Sequence, residues 1–173
     1  MAVKWLVRFC VADDSAERVV ANRYGAVDQV AEYSGELKAA ATSAFAAFES
    51  KMEAFRVADA LSEIMSVFRR ANKYIDETAP WALAKEEGKK DRLATVLYNL
   101  CETIVIATSM LECFMPAKCA KVFELLGPAR RAYGELGTFG HLPHGPHVAD
   151  QAALLFPRPA PPHVTPHVPA HFP

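Results

Sequence analysis

Apolar residues recur every three or four positions along most of the chain, the spacing of one buried face on an α-helix. A first stripe starts at Leu37, and Ser34 just before it is predicted as the helix N-cap. A second stripe starts at Val57 almost without interruption. The first contains Leu37, Ala41, Ala44, Phe45, Phe48, Met52 and Phe55, and the second Val57, Ala60, Leu61, Ile64, Phe68, Ala71 and Ile75.

The second stripe ends at Asp76 and Glu77, where the pattern changes. Thr78 is a candidate cap for a new short helix, because Pro80 is tolerated in a first helical turn. This short helix carries Trp81, and the charged stretch KEEGKKD that follows it is predicted as a solvated loop.

Two further helices are predicted after that loop. A third stripe comprises Leu93, Val96, Leu97, Leu100, Ile104, Ala107 and Leu111, and the FMP sequence at 114–116 interrupts it. The sequence AKCAKVFELLG then predicts a helix that stops at Gly127.

Helices with one apolar face and short connections must bury those faces on each other. Strand signals are absent from this region, so the sequence predicts an all-α fold, an antiparallel bundle of about four to five helices. The predicted organisation is a helical segment at 1–33, the bundle at 34–127 and a tail at 128–173. Every proline except Pro80 and Pro116 lies in that tail, with all six histidines, which predicts an irregular and largely disordered segment.

Composition narrows the function classes. The chain has 173 residues and a formal net charge of -1, so no global charge indicates nucleic acid or an anionic membrane as partner. The four cysteines form no C-x-x-C pair, and reduced thiols fit the cytoplasm. The N-terminal apolar run is interrupted by charges, and no stretch of about 20 apolar residues is expected to span a membrane.

The sequence gives little support for a catalytic site or a metal site. The histidine repeat HLPHGPH is joined by Pro and Gly, which gives no converging ligand geometry, so we expect no specific metal site. The histidines all fall in the predicted tail, which disfavours a nucleophilic triad, and Glu86 and Glu87 are adjacent in a charged loop. No phosphate-binding glycine loop is present, and we expect no cofactor and no catalytic residue.

Basic residues flank Trp81 on both sides. Arg69, Arg70 and Lys73 precede it and Lys85 follows it. An aromatic ring with a cationic rim can stack an unpaired RNA base while the cations hold phosphates. The alternative, which spacing alone favours, is that this Trp closes one end of the bundle.

The block from Arg69 to Gly127 resembles the anticodon-binding domain of bacterial methionyl-tRNA synthetases. ANKYIDETAPWALAK is the most specific piece, and RLATVLYNL and the FMP turn follow it in the same order as in that family. With the two upstream helices and the downstream LPHGPHV and LLFPR segments, the resemblance covers roughly residues 35–158.

The resemblance implies a class I synthetase anticodon-binding bundle, in which Trp81 stacks on an anticodon base. It also implies base-edge contacts from the first helix, where Arg8 matches a family arginine and Lys4 stands where the family has an asparagine. Asn72, Tyr74 and Asp76 match the signature as mainly structural residues, and Asp76 and Thr78 are expected to hydrogen-bond the backbone at the helix end.

The expected function is therefore binding of the methionine tRNA anticodon loop. The family's HIGH and KMSKS signatures have no counterpart here, so we expect no aminoacylation by the chain alone. Two alternatives stay open: a subunit that supplies a tRNA-reading surface to a synthetase catalytic domain in trans, and a helical interaction protein that no longer binds RNA. An intact ligase is disfavoured by the missing signatures.

Overall fold

The computed structural model describes residues 31–127 and 130–142, with side chains from Tyr33 onward. Its elements are the helices α1 (Ala31–Glu53), α2 (Val57–Thr78), α3 (Pro80–Leu83), α4 (Lys90–Leu111) and α5 (Pro116–Leu126), and the short 3-10 turns Glu87–Lys89 and Tyr133–Glu135. The helices predicted before residue 31 and the tail beyond residue 142 lie outside the described residues.

The described residues form no strand, and the all-α bundle predicted from the sequence is confirmed. A three-residue turn joins α1 to α2, so the two helices run antiparallel and pack along their length. Helix α4 packs against α1, α2 and α3, and α5 folds back onto α4. The breaks predicted at Pro116 and Gly127 coincide with the ends of α5.

The central element is α4, in which every residue from Tyr98 to Thr108 is buried. The apolar stripes predicted for α1 and α2 face it: Leu37, Ala41, Ala60 and Ile64 are all fully buried. A helix surrounded by others is mostly apolar on all sides, so no single-face pattern describes it, and its few buried polar residues need partners. The core is therefore built around α4.

Burial on all sides gives this region an apolar composition. Among the described residues, Glu87–Leu111 is the one stretch long and apolar enough to cross a membrane, whereas the sequence pattern predicted none. Most of it is buried inside the bundle, which is typical of the core helix of a globular domain.

A buried hydrogen-bond cluster connects α1, α2 and α4. The hydroxyls of Ser34 and Tyr74 lie 2.9 Å apart, and the Asn99 amide donates to them at 3.3 and 3.4 Å. Helix α1 already includes Ala31, so Ser34 lies inside the helix. The prediction that Ser34 is the N-cap is wrong for this reason. A buried hydroxyl needs a partner, and Tyr74, which is fully buried, supplies one across the helix interface.

Phe55 is not part of the core that its stripe predicted. Helix α1 ends at Glu53, and Phe55 takes up a left-handed conformation (φ 58°) in the turn to α2. Its side chain is 91% exposed. The helical spacing is correct only as far as the helix itself extends.

Residues 130–142 contain one 3-10 turn and no other regular element, and they are held to the bundle more closely than the sequence led us to expect. Leu136 and Leu142 are buried, and Lys38 lies 5.6 Å from the ring centre of Phe139. Tyr133 packs edge-on against Phe45 with ring centres 5.0 Å apart. This segment covers the open side of α1 and α4.

A fully buried carboxylate on α4 anchors this segment. Glu102 accepts the backbone N–H groups of Gly140 and His141 at 2.8 and 3.0 Å and that of Leu142 at 3.0 Å. It also forms an ion pair with Arg131, and burial lowers the pKa of that guanidinium. Gly140 has a φ of 96°, which favours glycine and lets successive N–H groups converge on one carboxylate.

We expect Tyr74→Phe to lower the free energy of unfolding by about 1–3 kcal/mol, because Ser34 and Asn99 would lose a buried partner. Urea unfolding followed by circular dichroism measures this. The matched control is Tyr133→Phe, whose hydroxyl makes an exposed bond to Glu49 and should matter by less than about 0.5 kcal/mol. Equal effects of the two substitutions would contradict a special role for the buried cluster.

Glu102→Ala should cost about 3–5 kcal/mol, since it leaves the Arg131 charge buried without its carboxylate. Limited proteolysis should then cut within residues 130–142 before it cuts the helices. Glu124→Ala, which removes an exposed carboxylate from α5, serves as the control and should leave both measurements nearly unchanged.

Candidate nucleic-acid interface

The candidate interface is built on the turn between α2 and α3. Helix α2 ends with the Thr78 hydroxyl donating to the Tyr74 carbonyl at 2.7 Å. Ala79 follows in the left-handed region (φ 41°, ψ 59°), and its N–H donates to the Ile75 carbonyl at 3.0 Å. A non-glycine residue in this conformation is strained, so surrounding contacts must hold the turn in place.

Those contacts come from the short helix α3. Pro80 and Leu83, three positions apart on one helical face, are both buried. Trp81 lies on a different face of the same turn and is 43% exposed. Pro80 and Leu83 therefore close this end of the bundle, while much of the Trp81 side chain faces solvent.

The predicted phosphate-binding cations have different surroundings. Arg69 and Lys85 are exposed, and neither has an ion-pair partner among the described residues. Lys73, 67% exposed, lies 3.3 Å from Glu77 across one helical turn. Only the lysine of this pair is exposed, since the Glu77 side chain is 16% exposed, so Lys73 can turn toward a phosphate while Glu77 keeps its bond to Arg70.

Arg70 is placed differently from these three residues. Its side chain is only 13% exposed, and its guanidinium donates to Glu77 at 2.8 Å and to Glu36 at 2.9 Å. It also donates to the Tyr33 carbonyl at 3.2 Å. In this arrangement Arg70 connects α1 to the last turn of α2, and a contact with phosphate stays a prediction.

The predicted base-edge residues Lys4 and Arg8 lie outside the described residues. In the described part of the chain, Lys73, Trp81 and Lys85 lie close in sequence to the end of α2, whereas Arg69 lies about 14 Å before that end along the helix. Within it, no group of three or more His, Cys, Asp or Glu side chains could hold a metal ion.

The sequence did not reveal the structural roles of Glu36, Glu77 and Asn99 at this site. Glu36 and Glu77 hold Arg70, yet Glu36 lies 34 positions away and no local pattern connects the two. Asn99 supports Tyr74 from α4. Of the two residues expected to cap the end of α2, Thr78 bonds the backbone, whereas Asp76 is exposed.

Comparison with known proteins agrees with this architecture. Residues 25–156 match the family described as the anticodon binding domain of methionyl tRNA ligase. The methionine–tRNA ligase of Oceanobacillus iheyensis is 37% identical over 132 residues, which is 75% of this chain and 20% of that protein. That of Clostridium tetani is 43% identical over 110 residues, or 64% of this chain and 17% of that protein.

Solved structures show the same fold. The apo form of Mycobacterium tuberculosis methionyl-tRNA synthetase superposes with a TM-score of 0.76 at 26% identity, covering 93% of this chain and 32% of that one. Its complex with methionyl-adenylate also gives a TM-score of 0.76. The chain spans about a fifth of the length of the curated relatives it matches.

Replacing Ala79 tests the strain in the turn. We expect Ala79→Gly to raise the free energy of unfolding by up to about 1 kcal/mol, because glycine takes up the left-handed region without penalty. Ala82→Gly, in the right-handed first turn of α3, should lower it by about 0.5–1 kcal/mol. Urea unfolding of both variants measures the difference, and a loss of stability in Ala79→Gly would contradict a strained Ala79.

Proposed function

The chain belongs to the family of anticodon-binding domains of methionyl-tRNA ligase, and on this premise we propose that it binds the anticodon loop of methionine tRNA through Trp81. The observation that carries the proposal is the 43% exposure of Trp81 on a turn that buried Pro80 and Leu83 hold in place. A large aromatic ring fixed on a rigid scaffold is the platform that an unstacked base needs.

The mechanism we propose combines stacking with weak electrostatic attraction. An anticodon base turned out of its loop stacks on the indole of Trp81, a contact worth about 1–3 kcal/mol. Arg69, Lys73 and Lys85 attract the phosphates on either side of that base. Because few cations take part, we expect modest affinity that falls as salt rises.

Base choice is assigned to the N-terminal segment. We propose that Arg8 and Lys4, which lie outside the described residues, contact base edges. Lysine donates hydrogen bonds but accepts none, whereas the asparagine of related domains does both. We therefore expect Lys4 to weaken discrimination between bases more than it weakens overall binding.

We place this activity in the cytoplasm, where tRNA is charged. The relatives are whole ligases, of which this chain matches about a fifth. We expect no aminoacylation by this chain alone, and the alternative is that it supplies its tRNA-reading surface to a synthetase catalytic domain in trans. The exposure of Trp81 disfavours the alternative of a helical interaction protein, which predicts a Trp packed into the bundle.

Trp81→Ala should weaken binding of a methionine tRNA anticodon stem-loop roughly 5- to 150-fold, the equivalent of about 1–3 kcal/mol. Fluorescence anisotropy of the labelled stem-loop measures this at low and moderate salt. Phe55→Ala is the matched control, because Phe55 is a more exposed aromatic residue at the other end of α2, roughly 30 Å away.

The stem-loop of a non-cognate tRNA tests specificity in the same titrations. Preference for methionine tRNA that is lost in Trp81→Ala, and kept in Phe55→Ala, supports the proposed function. Equal loss in both variants, or no binding by the unmodified chain, would refute it.

A further inference from the structure

Arg70 joins two helix ends beside the Trp81 turn. One guanidinium nitrogen donates to Glu77 at 2.8 Å, and the other donates to Glu36 at 2.9 Å and to the Tyr33 carbonyl at 3.2 Å. Glu77 belongs to the last turn of α2, four positions before Trp81, while Tyr33 and Glu36 belong to α1. The planar guanidinium is suited to bridging two acceptors at once, which a lysine ammonium does poorly.

The charges around Arg70 cancel. Arg70 and Lys73 contribute two positive charges, and Glu36 and Glu77 contribute two negative ones, within a single connected set of ion pairs. Glu77 is mostly buried, with its side chain 16% exposed. An incoming phosphate would therefore meet Arg70 already paired, with the Glu36 carboxylate beside it.

The position of Glu77 connects this ion cluster to Trp81. Thr78 and the strained Ala79 lie between Glu77 and α3, and the last turn of a helix frays when nothing holds it. The bond from Arg70 holds that last turn against α1 and opposes fraying. Arg70 is thus placed to hold the helix end that precedes the Trp81 turn without touching RNA.

We propose that Arg70 is a positioning residue, which holds the Trp81 turn ready for an anticodon base through Glu77 and Glu36, and that it does not bind phosphate. This inference rests on the proposed function for its effect on RNA. It assigns different roles to two neighbouring arginines, since Arg69 is exposed and Arg70 is paired.

The test compares Arg70→Gln with Arg69→Gln, which removes the same charge one position earlier. For the anticodon stem-loop, we expect Arg69→Gln to reduce the slope of log affinity against log salt by about 0.7–0.9. Arg70→Gln should leave that slope unchanged and weaken binding roughly tenfold at every salt concentration, because bonds to charged groups are lost from the turn.

Glu77→Gln separates positioning from simple electrostatics. It removes a negative charge near the RNA, so a purely electrostatic site would bind more tightly. We expect weaker binding instead, similar to Arg70→Gln, and the double variant should be little worse than either single one.

Tryptophan fluorescence quenching reports on the Trp81 turn in the absence of RNA. In a Trp5→Phe background, Trp81 is the one remaining tryptophan, and acrylamide quenching reports its exposure. Quenching should change in Arg70→Gln and Glu77→Gln and stay the same in Arg69→Gln. Circular dichroism checks that each variant keeps its helices.

Arg70→Lys is the second variant if Arg70→Gln loses helix content. It keeps the charge but bridges the two carboxylates poorly, so we expect weaker binding with an unchanged salt slope. Native affinity in Arg70→Lys would overturn the proposal.

Two other results overturn the proposal directly: a salt slope reduced by Arg70→Gln with unchanged quenching, or tighter binding by Glu77→Gln. If the unmodified chain binds no stem-loop, the proposed function fails, and quenching alone decides whether Arg70 holds the turn. A change in quenching then supports the positioning role, and unchanged quenching refutes it.

Discussion

The buried hydrogen-bond cluster of Ser34, Tyr74 and Asn99 fixes how α1, α2 and α4 sit against one another at the end of the bundle that carries Trp81. Apolar packing alone tolerates small shifts between helices, whereas hydrogen bonds among three buried polar atoms within 3.4 Å restrict such shifts. Breaking the cluster would leave donors buried without partners. The geometry of the Trp81 turn depends on this constraint, because Tyr74 is in the last turns of α2.

A second buried polar interaction holds residues 130–142 against the bundle. Residues 130–142 have little regular structure of their own, so their backbone N–H groups need partners elsewhere. The Glu102 carboxylate accepts three of those N–H groups and pairs with Arg131. Glu102 lies one helical turn after Asn99, so α4 carries both buried polar sites on adjacent turns. The central helix therefore positions the candidate site and also holds the segment that follows the bundle.

Some charged residues near Trp81 form ion pairs that hold the fold, and others face solvent. Arg70 is bound to Glu36 and Glu77, while Arg69 and Lys85 have no such partner among the described residues. Exposed carboxylates also lie near this turn, at Asp76, Glu86 and Glu87, so the surface charge around Trp81 is mixed. Net charge alone, at -1, gives no indication of this arrangement.

The sequence by itself determined the all-α class, the helix succession from residue 37 to Gly127 and the turn that carries Trp81. These features depend on local spacing, on Pro80 and Pro116 as helix starts, and on a resemblance concentrated in ANKYIDETAPWALAK. It could not assign Ser34 or Phe55 correctly, because each depends on where α1 begins or ends, and it could not show that Arg70 pairs with Glu36, which lies 34 positions away. Only the tertiary structure decided that Pro80 and Leu83 close the bundle while Trp81 is left partly exposed, since side-chain burial is set by the neighbouring helices.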